Sequence, residues 1–469
     1  MGKFLKWGGI GLGSTLLLGA IALIAWSFIS TRQLDGRIAA IQARGEPILP
    51  EDFKRSVPAE SDAMVELRQA HAIARQYARS PAVRELEASK GGPQLPVIGN
   101  EASLLREVVA ENAEALRLLD AAGGKPDADW RGVPGAAGSA MMPGWDEHRR
   151  LANLARQAAL LAIDERRSEE ALRGVERMLT LADAAERHPS FIGHLVGLGV
   201  AALAGSTAAE IAPDLEPERA VPRAQLQTVI RRLLDTGPSQ AGWRWACQGE
   251  RAMQLDMLRA VMENRPVAGG AGAQLQAFGV VFARPFVRGN AVMLLDHMTD
   301  AIAAIDRAPD QPAWRQQIDA SPSGMAIRGS PRRYALASLL LPSIQRSGEA
   351  HFRARNDRAC GAIALAARAY AADHGGDLPA PRAARVPEYL PPVPTAALIG
   401  GGAPIGYDPE RRIIWHAGLN LRDDKGTDVD RAQTARWNAA NTDTVYPLYR
   451  RPRVLDAPEA TQPADAMDQ

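Results

Sequence analysis

The amino-acid sequence predicts a mainly α-helical protein with an N-terminal transmembrane helix, a multi-helix ectodomain and a small α+β C-terminal unit. Three observations support this fold class. The chain begins with an uncharged apolar run, apolar residues then recur at helical spacing over most of its length, and proline-rich segments with short apolar runs replace that spacing near the C-terminus. With 469 residues, of which 46% are hydrophobic, the chain can bury a substantial core.

The N-terminal apolar run extends from Trp7 to Ser30 and contains no charged residue. Its length is close to the ~20 residues that a helix needs to cross a bilayer. Trp7 and Trp26 stand where aromatic side chains meet the membrane interface, and Lys3 and Lys6 form a short basic head. We expect residues 7–30 to span a bacterial inner membrane once, with the N-terminus in the cytoplasm and the bulk of the chain in the periplasm.

A cleaved signal peptide is the alternative interpretation of this run. The run is longer than the ~7–15 apolar residues of a signal-peptide core, and no clean small-residue cleavage site follows it. The sequence therefore favours a signal anchor.

The clearest predicted helical hairpin runs from Glu147 to Glu186, with its turn at 166–168. The segment His188-Pro189-Ser190 then ends one helix and caps the next, which Pro213 stops. Three antiparallel helices of this kind are tetratricopeptide-like, but no pattern repeats at the ~34-residue period of such arrays. The sequence therefore predicts a non-repeating helical domain.

The same spacing predicts further elements along the chain. Two interruptions, at Gly269–Gly272 and at Pro285, are interpreted as loops. Two short runs on either side of Asp408-Pro409 look like strands. The additional predicted helices are 63–78, 104–119, 223–234, 243–262, 290–305 and 332–373, and the predicted strands are 405–407 and 413–416. In the last of these helices Pro342 either kinks the helix or starts it.

These elements suggest a division of the chain into five segments. The segments are a short cytoplasmic head and transmembrane anchor (1–32), a tether (33–60), a helical domain (61–331), a long helix with a small α+β unit (332–452) and a disordered tail (453–469).

The charge balance argues against nucleic acid as a partner. Lys and Arg total 55 and Asp and Glu total 54, so the chain has no basic excess that would attract a polyanion. Cys247 and Cys360 have no metal-ligand spacing, and two buried free thiols are the expected state.

One C-terminal pattern resembles a known family. A helix that ends at a tyrosine and is followed by glycine, proline and a short helical turn resembles the segment after the long helix of bacterial type II secretion pseudopilins. It also resembles the end of uncharacterised, N-terminally anchored membrane proteins of planctomycete-type bacteria. The matching residues are 359–370, His374-Gly375, Leu378-Pro379, Pro387-Glu388-Tyr389-Leu390 and Pro394, with Gly45-Glu46-Pro47-Ile48 and the segment His188-Pro189 to Leu195-Val196.

The start of the chain departs from the pseudopilin pattern. A pseudopilin is processed immediately before its hydrophobic helix and carries a Glu near its mature start. The segment from Met1 to Trp7 contains no Glu. The resemblance is therefore confined to the C-terminal unit and the two shorter segments.

Asp423, Asp424, Asp428 and Asp430 cluster around Gly426 and form the candidate metal site. Closely spaced carboxylates on a glycine-containing loop suit a hard cation such as calcium. The pseudopilin resemblance also implies calcium here, because major pseudopilins carry an acidic calcium-binding loop near their C-terminus. The spacing differs from that of an EF-hand, and a solvated turn is the alternative.

The eight histidines do not have the i, i+4 arrangement with an intervening Glu that makes a helical zinc site, and we interpret them as capping or surface residues. The standard motifs for nucleophilic and phosphoryl-transfer enzymes are also missing from the sequence. The function expected is that of a membrane-anchored helical scaffold or interaction protein of the cell envelope. A periplasmic hydrolase with a non-motif active site and a type II secretion component are the alternatives.

Overall fold

The computed structural model of the protein describes most of the chain. Side chains are described from Ser14 onward, except at 339, 340, 342 and 343. The described residues are 2–77, 79–88, 92–131, 144–216, 222–265, 283–340, 342–380, 389–390, 394–418, 420–427 and 443–450.

The first half of the fold is built from helices joined by short connections. After α1 a single 3₁₀ turn, Pro50–Phe53, leads into the helical domain. The helices are α1 (Gly2–Gln42), α2 (Met64–Tyr77), α3 (Pro81–Ala88), α4 (Glu101–Glu111), α5 (Ala113–Ala122), α6 (Trp145–Asp164), α7 (Ser168–Ala185) and α8 (Phe191–Ile211).

The second half continues with helices and ends in a small antiparallel sheet of order β1-β2-β3. The helices are α9 (Arg223–Leu234), α10 (Gly237–Met262), α11 (Arg284–Arg307), α12 (Gln311–Ala320), α13 (Pro322–Gly329), α14 (Ala335–Leu340) and α15 (Pro342–Asp373). The strands are β1 (Gly406–Asp408), β2 (Ile413–His416) and β3 (Thr444–Pro447).

The mainly helical fold with its small sheet is confirmed. The predicted α6–α7 hairpin is present, and Ser190 caps α8 by accepting a hydrogen bond from the Gly193 amide over 3.1 Å. Both predicted strands are present as β1 and β2. Strand β2 pairs antiparallel with β1 on one side and with β3 on the other. The sequence did not predict β3.

Two predictions were wrong for local reasons, and the structure decides a third, which the sequence left open at Pro342. Pro285 does not lie in a loop. It lies in the first turn of α11, where the amide hydrogen that proline lacks would have no partner within the helix. The predicted helix 104–119 is two helices that meet at Asn112, whose side chain donates to the Val108 carbonyl over 2.8 Å. The predicted helix 332–373 is α14 and α15, and Pro342 begins the second.

The centre of the fold is α8, which packs against α6, α7, α10 and α15. Its close approach to α15 depends on two glycines, because a Cβ at Gly361 would lie 2.4 Å from the Gly205 carbonyl oxygen. Segment 191–214 is apolar and long enough to cross a membrane, but 61% of its most apolar window is buried inside the protein. We therefore interpret α8 as a core helix.

The residues after the apolar part of α1 belong to the folded domain. Leu34, Ile38 and Ile41 are buried in one apolar cluster with Leu258 of α10 and Val287 of α11. The segment 33–60, which the sequence suggests is a tether, thus carries part of the core.

The end of α1 is held by a buried ion pair. Arg251 of α10 is fully buried, and its guanidinium binds the Glu46 carboxylate over 2.8 Å and the Pro47 carbonyl over 3.1 Å. A buried guanidinium needs such partners, since an unpaired buried charge is strongly destabilising. The chain therefore leaves α1 at a fixed position against α10.

Candidate functional site

Between Ser14 and Ile29, α1 has an apolar surface that the rest of the protein leaves largely uncovered. Helix 14–42 is apolar enough to span a membrane, and only 6% of its most apolar window is buried. Ile24 and Ile29 are 69% and 53% exposed. This exposure distinguishes α1 from α8, because contiguous exposed apolar surface marks a membrane or protein contact.

Helix α1 lies alongside α11 with the same direction of chain. Arg288 Nη1 donates to Ser27 Oγ over 2.9 Å, and Arg37 Nε pairs with the Asp296 carboxylate over 2.7 Å. Later positions of α1 therefore contact later positions of α11, as expected for two parallel helices. Because α1 is helical through Gln42, the exposed apolar half and the packed half form one continuous rod.

A tryptophan–histidine cluster, which we define as His71, Trp130, Trp145, His148 and His188, lies among α2, α6 and the chain around them. His148 Nε2 faces the Leu181 carbonyl over 2.9 Å, so this nitrogen carries the proton and donates. His148 Nδ1 therefore accepts from His71 Nε2 over 3.1 Å. Both rings are neutral in this arrangement.

Burial sets the protonation of the three histidines. Loss of solvation lowers the pKa of His71 and of His188 to about 4, and lowers that of His148 to about 3. The tryptophan rings cover them, with the centroids of Trp130 and Trp145 4.4 Å apart and that of Trp145 5.1 Å from the His188 ring. These histidines stay neutral at neutral pH and contribute packing and hydrogen bonds.

A second buried group, the glutamate–histidine cluster of Glu186, His194, Trp243 and His351, joins α7, α8, α10 and α15. His194 Nδ1 lies 2.6 Å from Glu186 Oε2. The Trp243 ring stacks on His351 with centroids 4.6 Å apart. Burial raises the pKa of Glu186, and it lowers the pKa of His194 to about 3 and that of His351 well below its ordinary value.

Several polar atoms of the glutamate–histidine cluster are buried without a hydrogen-bond partner. They include Glu186 Oε1, His194 Nε2 and His351 Nδ1. Glycine makes room for the carboxyl group, since a Cβ at Gly242 would lie 2.0 Å from Glu186 Oε2. The cluster is closed and tightly packed, so its neutral groups belong to the folding core and have no path to a substrate in the described structure.

The sequence interpretation of the histidines as capping or surface residues was wrong for most of them. His374 is exposed, and the others are buried, namely His71, His148, His188, His194, His297, His351 and His416. The error arose because these rings come together from helices far apart in sequence. The spacing of the histidines along the sequence did not indicate that they are buried. The nearby tryptophans and glycines could have suggested buried aromatic packing.

A third polar network joins the C-terminal unit to α15. His416 Nε2 lies 2.8 Å from Asp357 Oδ1, and the Tyr446 hydroxyl donates to the same oxygen over 2.6 Å. His416 Nδ1 faces the Ala417 carbonyl over 2.8 Å, so it must donate. A proton is therefore also needed between Nε2 and the carboxylate, and the network fixes β2 and β3 on α15.

The candidate calcium loop is only partly described, since Asp428 and Asp430 lie outside the described residues. Asp423 Oδ1 accepts from the Trp415 indole and from the Lys425 amide, each over 2.9 Å, and Asp424 Oδ2 accepts from the Asn420 side chain over 2.8 Å. Within the described ranges, no three His, Cys, Asp or Glu side chains are grouped as a metal site would require. Calcium binding here stays a prediction.

A small apolar cleft lies between α15 and the start of the C-terminal unit. Its walls include Ile363, Tyr370, Pro379, Tyr389 and Leu390. The space available to the centre of a water molecule is about 10 Å³, which is close to what a single water needs. The cleft is thus too small for a typical ligand pocket of about 300–1,000 Å³.

Cys247 and Cys360 are free and buried, as expected from the sequence. Burial raises the pKa of both thiols, which keeps them protonated and unreactive. The distinctive surface of the described protein is therefore α1 and the edge of the domain beside it.

No family model matches the sequence, and neither a curated protein nor a solved structure is found to be similar to it.

Proposed function

We propose that this protein is a single-pass, membrane-anchored helical scaffold of the bacterial cell envelope. In this proposal α1 spans the inner membrane, and the helical domain lies in the periplasm and presents its surface to other envelope proteins. The pseudopilin-like C-terminal unit forms part of that domain. The protein acts by position and contact and carries out no catalysis of its own.

One observation carries the proposal. Helix α1 is apolar and exposed between Ser14 and Ile29, and beyond Ser30 one face of it packs against α11 and α10, without a break in the helix between the two parts. A flexible linker would let a domain move freely above a membrane. A continuous helix fixes the orientation of the domain relative to the bilayer, which is useful to a scaffold that must place a partner.

The buried clusters also support a scaffold. The histidines of the two clusters and Glu186 are enclosed by tryptophan rings and by close helix contacts, and burial shifts the pKa of each towards the neutral form. Hydrogen bonds within the clusters, such as the one from His71 to His148, join helices that are far apart in sequence and so favour one packing arrangement.

The anchor is tested by cell fractionation. Leu17 and Leu18 are 62% and 66% exposed, so the double change Leu17→Arg and Leu18→Arg adds charge to the apolar segment without touching the domain. Each Arg at the centre of a membrane helix costs about 2.5–3.5 kcal/mol. We expect the variant to leave the membrane fraction after an alkaline wash, while Leu17→Ala with Leu18→Ala remains.

Two outcomes would contradict the anchor. The arginine variant could remain in the washed membrane, or the mass of the mature wild-type protein could show that the apolar segment is removed.

The scaffold role is tested by size-exclusion chromatography with light scattering on a mild-detergent extract. We expect a protein mass above the 50.3 kDa of one chain, and a single chain alone would argue against a scaffold.

A further inference from the structure

Five arginines surround the place where α1 passes from its exposed half into the domain. We call them the arginine rim, and they are Arg32, Arg284, Arg288, Arg332 and Arg333. Arg32, Arg332 and Arg333 are exposed, and Arg284 and Arg288 are partly exposed. They come from three parts of the chain, so their assembly is a product of the fold.

The hydrogen bond between Arg288 and Ser27 sets the level of the rim along α1. The start of α11 lies one turn before Arg288 and Leu23 lies one turn before Ser27, so the start of α11 reaches about the level of Leu23. Leu23 is partly covered, whereas Ile24 and Ile29 are exposed. At 1.5 Å per residue, the six positions from Leu23 to Ile29 span about 9 Å. Apolar surface and the domain edge therefore overlap over about 9 Å of the helix axis.

This overlap places the start of α11 at the depth of the lipid headgroups. Trp26, which is 48% exposed, lies within the overlap, and tryptophan prefers the membrane interface. Arg284 precedes Arg288 by one helical turn and lies on the same face of α11. Long arginine side chains at this depth extend their guanidinium groups towards phosphate.

Asn290 brings the remaining part of the rim to the same level. Its Nδ2 donates to the Arg333 carbonyl over 3.2 Å, and its Oδ1 accepts from the Leu336 and Ala337 amides over 3.1 and 3.2 Å. Asn290 is buried and follows Arg288 by two residues. The backbone at Arg333 is therefore held within about one turn of the Arg288 level.

The rim is also unusual in its charge. Elsewhere on the protein many arginines pair with carboxylates, as Arg106 does with Glu165 over 2.6 Å and Arg315 with Glu349 over 2.7 Å. In the part of the chain that the structure describes, none of the five rim guanidinium groups forms a salt bridge with a carboxylate. The guanidinium groups of Arg32 and Arg333 lie over the Phe28 and Tyr334 rings, which leaves their charge without a carboxylate as well. The rim thus carries five positive charges that no described carboxylate neutralises by a salt bridge.

We propose that the arginine rim binds the headgroups of anionic phospholipids in the bilayer that α1 spans, and so holds the domain against the membrane surface. The inference rests on α1 being a membrane anchor. Guanidinium groups suit phosphate because their planar donors match its oxygens. Basic residues are attracted to an anionic membrane surface, and several acting together give a stable orientation.

The test uses the full chain in lipid nanodiscs. Ser330 is exposed and lies two residues before Arg332, so Ser330→Cys offers a site for a fluorophore, while the native cysteines are buried and resist labelling. A nitroxide on the lipid headgroup quenches the fluorophore when the rim touches the membrane. Quenching is compared between discs of phosphatidylcholine alone and discs with about 30 mol% phosphatidylglycerol.

We expect stronger quenching in the anionic discs, and a decrease of this difference as salt is raised. The double change Arg332→Gln and Arg333→Gln should remove about half of the difference, because two of the rim charges are lost. Arg332→Lys with Arg333→Lys should retain most of it. The matched control is Arg79→Gln with Arg84→Gln, which removes the same charge beside α3, a helix that packs mainly on α4.

The outcomes separate the two proposals. A chain that stays in the discs and is quenched equally at both compositions, or not at all, overturns the rim while the anchor stands. An unchanged difference in the glutamine double variant overturns it as well. A chain that is not retained in either disc overturns the anchor, and the rim with it.

Discussion

The side chain of Arg288 donates to the Ser27 hydroxyl over 2.9 Å and joins α11 to the exposed helix α1. The two residues are far apart in sequence, and their contact fixes where along α1 the folded domain begins. Ten positions further on, Arg37 repeats the connection by pairing with Asp296. The packing between these two contacts makes the domain and its anchor one body.

This packing predicts different effects for two isoleucines of α1. Ile41 is 3% exposed, so Ile41→Ala should lower the free energy of unfolding by about 2–5 kcal/mol through lost apolar burial and a cavity. Ile29 is 53% exposed, and Ile29→Ala should change it by less than about 0.5 kcal/mol. Denaturant unfolding of the detergent-solubilised chain, followed by circular dichroism, measures both. Equal effects would mean that α1 does not pack on the domain beyond Ser30.

Two glycines provide a matched test of the glutamate–histidine cluster. A Cβ at Gly242 would lie 2.0 Å from Glu186 Oε2, so Gly242→Ala should destabilise the fold by about 1–3 kcal/mol through overpacking. A Cβ at Gly199 of α8 meets nothing within 4 Å, and Gly199→Ala should stabilise the helix by about 0.5–1 kcal/mol. The thermal midpoints of the two variants should therefore move in opposite directions. A stable Gly242→Ala protein would show that the Glu186 side chain has room to move.

The buried histidines predict a loss of stability in mild acid. The folded-state pKa of His71, His148, His188 and His194 lies at about 3 to 4, below the ordinary 6.5, so the unfolded chain binds protons more readily. The stabilisation is complete above about pH 6.5 and is lost as the pH falls towards 4. At pH 5 each such histidine disfavours the folded state by about 2 kcal/mol.

The acid limb can be assigned by substitution. His351 stacks on Trp243, and a phenyl ring fills a similar volume without binding a proton. His351→Phe should therefore reduce the slope of stability against pH by about 1.4 kcal/mol per unit between pH 6 and 5. His374→Gln changes an exposed ring and serves as the control. The proposed origin of the acid limb is wrong if the slope is the same in both variants and the wild type.

The network at Asp357 predicts a role for one tyrosine hydroxyl. Tyr446→Phe removes the hydrogen bond to the Asp357 carboxylate and should destabilise the C-terminal unit by about 1–3 kcal/mol. Hydrogen exchange of the β2 and β3 amides should rise before that of the central helix α8. Tyr449→Phe, at a side chain that is 37% exposed, should leave both unchanged. Uniform exchange in Tyr446→Phe would mean that the hydroxyl does not hold the sheet on α15.

The elements that depend on local sequence were predicted well. The apolar stripes of α6 and α7, the cap at Ser190 and the short apolar run of β2 are signals carried by neighbouring residues, because helix periodicity and strand composition are local properties. The errors also had local causes. A proline looks the same in the sequence whether it begins a helix or interrupts one. Only the position of Pro285 in the first turn of α11 distinguishes these two cases.

The sequence by itself determined that an apolar helix lies near the N-terminus, that the rest is mainly helical and that two short strands follow the helix that ends at Asp373. Only the tertiary structure decided that seven of the eight histidines are buried, that α1 is part of the core beyond Ser30 and that the arginines of the rim lie on segments that pack beside it. The reason is physical. Periodicity reports which face of one helix is apolar, whereas burial of a histidine or assembly of the rim depends on which distant helices pack together.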